Sequence, residues 1–142
     1  MPSGHRLLAS LALLGLLSAS SLISQAADKP LTTPVTLAIY SDTGTALRCT
    51  IMLAHFVTQN ADPNSHKIEL TFDRDDASGT LAERRSGRAM QVENILCGDR
   101  DNWQATQADI PLALLRPPGA RHFAAHCRLE PRLRCTVEAL DS

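Results

Sequence analysis

The stretch HCRLEPRLRC, residues 126–135, sets Cys127 and Cys135 around a central proline. If Glu130, Pro131 and Arg132 form a three-residue hairpin loop, Leu129 opposes Leu133 and Cys127 opposes Cys135. Directly opposed residues in an antiparallel pair lie about 4.5 to 5.5 Å apart at Cα, which a disulfide can bridge. A two-residue loop, Pro131–Arg132, would instead set Cys127 against Thr136. Proline at its first position also suits turns that splay such a hairpin. The three-residue loop is therefore expected, although Arg132 stands where such loops favour glycine. On this hairpin Cys127, Leu129, Leu133 and Cys135 point one way. Arg128 and Arg134 point the other, diagonal to each other and with His126 nearby.

The chain holds four cysteines. An even count in a small exported domain reads as two disulfides, so by elimination Cys49 pairs with Cys97. Export itself is expected from the N-terminus. Arg6 precedes an uncharged apolar run, Leu7 to Leu17, and Ser24-Gln25-Ala26 is a small-x-small cleavage motif. That is the pattern of a secretory signal peptide, with cleavage after Ala26 or Ala27. The apolar run is short of the roughly 20 residues a membrane span needs. No cysteine near the cut offers a lipid anchor. Residues 1–26 are thus expected to be removed. The remaining 142 − 26 = 116 residues, 27–142, make one β-rich domain. Removing Arg6 from 14 basic residues leaves 13 against 15 acidic ones, a net charge of −2. Nothing in that balance favours a nucleic-acid partner.

Upstream of the hairpin the apolar residues recur with the period of strands. PVTLAIYS (34–41) alternates, with Val35, Leu37 and Ile39 on one face. HKIELTFD (66–73) alternates most clearly, with Ile68, Leu70 and Phe72 inward. LRCTIMLAHFVT (47–58) is apolar on both faces, as a covered central strand is. MQVENILC (90–97) is a further strand. TLAERRSGRA (80–89) is either a short edge strand or one helical turn. GDRDNWQATQAD (98–109) is a polar loop anchored by Trp103. IPLALL (110–115) is an edge strand or strand start, because Pro111 lacks a ladder donor. RHFAAHCRL and RLRCTVEAL are the last two strands. About seven strands spaced by turn signals predict an all-β fold, a small disulfide-stapled antiparallel β-sandwich, with a small β-barrel as the alternative.

Several patterns could carry chemistry. His122 and His126 have a metal-like spacing, but on a strand they stand about 13 Å apart, and Cys127 is claimed by its disulfide. DRDDASG (73–79) departs from a calcium loop at Ala77, Ser78 and Arg84. Asp99 and Asp101 could share acid–base work, yet no nucleophile–base constellation accompanies them. His55 in its apolar run reads as a buried neutral histidine. No catalytic residue, metal or cofactor is expected. From Arg116 to Arg134 five arginines and two histidines face one acid, Glu130. Arginine forks suit carboxylates and phosphates. The residues expected to meet a partner are Arg121, His126, Arg128, Arg132, Arg134 and Trp103. The expected function is that of a periplasmic or extracellular non-catalytic binding or envelope accessory module with a protein or anionic envelope partner. A periplasmic inhibitor or immunity protein that blocks an enzyme is the alternative. A small secreted enzyme comes third, and would require a concave pocket with convergent polar side chains.

Overall fold

The computed structural model describes residues 32–54, 56–60, 66–85 and 87–141. The expected signal peptide, His55 and residues 61–65 of the turn cluster lie outside them. The described chain is all-β. Its strands are β1 (Thr32–Ser41), β2 (Leu47–Leu53), β3 (Phe56–Asn60), β4 (Lys67–Asp75), β5 (Leu81–Arg85), β6 (Arg88–Asp99), β7 (Ala108–Asp109), β8 (His122–Glu130) and β9 (Arg132–Ala139). They form one sheet in the order β3-β2-β6-β5-β4-β1-β8-β9, with β7 on β6. The sheet is not closed into a barrel, which sets aside that alternative.

Four details differ from the sequence expectation. Nine strands are described rather than about seven. LRCTIMLAHFVT is not one strand: β2 ends at Leu53, Ala54 lies in a turn, and β3 folds back on β2 with Leu53 opposite Phe56. No glycine, proline, asparagine or aspartate marks that turn. TLAERRSGRA supplies β5, a strand between β4 and β6 rather than an edge. Its turn into β6 uses Gly87 at φ 78°, which favours glycine over residues with a Cβ. The ladder is also not wholly antiparallel. β1 pairs with β8 in parallel, Leu37 against Phe123 and Ile39 against Ala125. Parallel neighbours need a long crossover, and no local turn signal announces them.

β6 makes the sheet fold over on itself. Its first half pairs with β5 and its second half with β2. Between the halves the register slips: Met52 faces Asn94, but Leu53 faces Val92. Glu93 is the extra residue of a β-bulge. A bulge bends its strand and shifts side-chain parity by one. Accordingly Val92 is buried on one parity, and Ile95 and Cys97 on the other. The two halves close on one core. It joins Val35, Leu37 and Ile39 of β1 and Phe72 of β4 to Ile51 of β2 and Ile95 of β6.

Both disulfides form as expected. Cys49 faces Cys97 across β2 and β6 at 4.1 Å between Cα atoms, and Cys127 faces Cys135 across β8 and β9 at 4.0 Å. IPLALL is not a strand. Ile110 N donates to Ile95 O at 2.9 Å, and then Pro111 ends the ladder because it has no N–H. Residues 113–115 form a 3₁₀ turn. In the polar loop, a 3₁₀ turn (100–102) leads into one helical turn, α1 (Trp103–Thr106).

β4 runs further than its sequence suggests. Arg74 continues the inward parity of Ile68, Leu70 and Phe72 and is 1% exposed. Its Nε donates to Asp76 Oδ1 at 2.9 Å. Its Nη1 donates to Leu115 O at 3.1 Å and Ala120 O at 2.8 Å. The Thr33 hydroxyl donates to the other Asp76 oxygen. Thr33 first, and then the Arg74 guanidinium, hold the Asp76 carboxyl below the usual carboxylate range. This network ties the 110–120 loop to the centre of the sheet.

A second carboxylate closes the sheet where the chain leaves β9. Asp141 Oδ1 accepts from the backbone N–H of Arg121 and His122 at 3.0 and 2.9 Å, and His122 Nδ1 lies 3.0 Å from Oδ2. The His122 ring, then its N–H and that of Arg121, lower the Asp141 carboxyl from 3.8 to about 2. The folded value lies below the unfolded one. This contribution is therefore complete above about pH 4 and is lost as pH falls toward 2. Asp141→Asn should lower the thermal midpoint near neutrality, and the gap to the parent should close between about pH 4 and about pH 2. A gap that persists undiminished in acid would contradict the clamp.

Candidate functional site

Pro131 lies at the centre of the β8–β9 turn, and residues equidistant from it face one another: Leu129 with Leu133, Cys127 with Cys135 and Arg128 with Arg134. The arginines are thus directly opposed, not diagonal as the sequence suggested. The same register that aligns the cysteines aligns them. Leu133 and Cys127 are buried, while Arg128, Arg132 and Arg134 are exposed. Like charges directly opposite on a ladder are destabilising, and here the staple keeps the strands in register. Arg128 Nε donates to Glu130 Oε1 at 3.2 Å. That bond satisfies one arm of one fork.

His126 shares this outward face, two rungs further along the hairpin. It stacks on Tyr40 with ring centroids 5.3 Å apart. Its Nδ1 lies 3.4 Å from Asp42 Oδ1 and its Nε2 3.4 Å from Glu138 Oε1. Lys67 Nζ stands over the Tyr40 ring at 5.5 Å from its centroid. The row Lys67–Tyr40–His126–Thr136 therefore crosses four strands. The face is a charged mosaic rather than uniformly cationic, and its positive end is the Arg128–Arg134 rung with Arg132.

Two expected contact residues do not join this end. Arg121 precedes β8 and stands about 23 Å along the strand from Arg128; its backbone serves the Asp141 clamp and accepts from Thr36 N. Trp103 lies on α1, and the Arg48 guanidinium of β2 covers its ring at 4.9 Å. The remaining candidates have structural partners. Asp99 Oδ1 accepts from Asp101 N at 3.0 Å, and Asp101 pairs with Arg100 at 3.1 Å. Asp75 Oδ1 accepts from Ala77 N and Ser78 N, a turn motif within the calcium-like stretch. Among the described residues no group of three or more His, Cys, Asp or Glu side chains could hold a metal ion.

A second feature was not read from the sequence. Glu93 and Asn94 at the β6 bulge, Asp109 of β7 and Arg116 surround a shallow concavity of about 600 Å³ over Ile110 and Leu112. Asn94 Nδ2 donates to Asp109 Oδ1 at 2.9 Å. The legible signal was the parity break within MQVENILC, where an even inward phase gives way to an odd one.

No protein-family model, no curated protein and no solved structure matches this chain. Among the described residues no helix is long and apolar enough to cross a membrane.

Proposed function

We propose that the chain is an exported, non-catalytic binding module that docks an anionic protein partner on the β8–β9 hairpin. One observation carries this reading: Arg128 and Arg134 are held directly opposite and exposed on a disulfide-locked pair of strands. A frame that cannot splay keeps two guanidinium groups together at a cost in repulsion. A carboxylate-bearing surface relieves that cost and is met by two forks at once. Both cysteine pairs are oxidised, which fits the periplasm or the exterior of the cell. The signal-like N-terminus supports the same placement. Binding should weaken steeply with ionic strength, as exposed charges do. Crosslinking and co-purification from the native envelope test the reading. The parent chain should recover a defined one-to-one complex, and a chain carrying Arg128→Glu and Arg134→Glu should not.

A further inference from the structure

We infer that the outer edge of β9 pairs with the same edge of a second copy, joining two chains in an antiparallel dimer through one continuous ladder. Among the described residues β9 ends the sheet, and β8 is its ladder neighbour. Backbone parity decides which groups point outward. Leu140 N donates to His122 O at 2.8 Å, so the even residues of β9 turn their N–H and C=O toward β8. Those of Leu133, Cys135 and Val137 point away from the sheet. The apolar face also thins at this edge. Ala125 and Cys127 of β8 are fully buried, whereas their partners Val137 and Cys135 are only half-buried. Many natural edges are blunted by a proline, a bulge or an inward charge. β9 has none of these between Arg132 and Ala139.

Charge complementarity selects the second copy and the register. With the two-fold axis at Cys135, residues equally far on either side of it face one another. Arg132 then meets Glu138 of the second copy, Arg134 meets Thr136 and Leu133 meets Val137, each pair occurring twice. Leu133, Cys135 and Val137 exchange the backbone hydrogen bonds. Arg132 and Glu138 form the closer, non-hydrogen-bonded kind of pair, in which opposite charges are favourable. Both side chains are exposed. An axis one residue earlier would set Arg134 against itself. An axis one residue later pairs Arg134 with Glu138, but sets Arg132 against Leu140, past the end of β9. The outward side chains of Arg128 and Arg134 stand off the sheet rather than along its edge. The dimer therefore leaves that rung exposed, and the inference does not depend on the function proposed for it.

Sedimentation of the oxidised chain over a concentration series tests the inference. A reversible monomer–dimer equilibrium is expected. Glu138→Arg and Arg132→Glu each set like charges against each other at both ends of the ladder. Each should raise the dimer's Kd by at least about tenfold. Both positions are exposed, so each variant should keep the parent's near-ultraviolet circular dichroism. An equimolar mixture of the two variants restores opposite charges at both ends. It should form a mixed dimer with a Kd within about threefold of the parent's. A parent chain that stays monomeric at every concentration would overturn the inference. So would a dimer that tolerates either reversal, or a mixture that does not recover the dimer.

Discussion

A chain carrying Cys49→Ala and Cys97→Ala is expected to unfold with about 4 kcal/mol less free energy than the parent. The bridge closes a separation of 48 residues, and the chain-entropy cost of an open loop grows with its length. It also joins β2 and β6 in the half of the sheet beyond the bulge, and both cysteines are fully buried. Their loss removes packing as well as the crosslink. Domains of this size are stable by only about 5 to 15 kcal/mol, so the effect should be evident in a urea titration. The Cys127–Cys135 bridge spans a separation of 8, and its removal should cost about 2.5 kcal/mol. The order is the test. A larger loss from the small hairpin bridge would mean that the sheet does not depend on the β2–β6 staple.

The second large effect is expected at Arg74. Arg74→Met keeps most of the side-chain volume but removes every donor. Asp76 loses its guanidinium, and the carbonyls of Leu115 and Ala120 lose their partner. Asp76 is partly exposed and can turn to water, but the Leu115 carbonyl is left unsatisfied inside the protein, and an orphaned buried group typically costs about 1 to 3 kcal/mol. Hydrogen exchange should also rise across residues 110–120, the loop that this side chain holds. A variant that unfolds within about 1 kcal/mol of the parent, with an unchanged loop, would show that Arg74 is merely enclosed.

Local structure was legible in the sequence where each residue's surroundings are local. The alternation of Val35, Leu37 and Ile39 and of Ile68, Leu70 and Phe72 named their buried faces, and the spacing of Cys127 and Cys135 around Pro131 set the hairpin register. The Cys49–Cys97 pair followed by elimination. Long-range features were harder to read. Nothing near β1 signals that its other neighbour is β8, running parallel, because that choice is made by packing over a long crossover. The strand read from HKIELTFD stops at Asp73, because the charged run after it reads as exposed, although Arg74 continues the inward parity. The bulge at Glu93 was passed over in the same way. A strand with one extra residue reads as a strand, and only its change of phase betrays the bend. The outward hairpin face was foreseen in membership but not in arrangement: His126, Arg128, Arg132 and Arg134 share it, while Arg121 and Trp103 were grouped with them by sequence proximity or by size.

The central claim is that the opposed arginine rung is the contact face. It is tested most directly by parallel capture from native envelope with the parent chain, the Arg128→Glu/Arg134→Glu chain and an Arg121→Glu control. All three should fold alike, because the altered side chains are exposed. The double reversal should weaken partner binding by at least about 100-fold, through the loss of two charge-assisted contacts. The Arg121 variant should retain it. Capture that survives the double reversal would remove the hairpin from the binding surface and contradict the account.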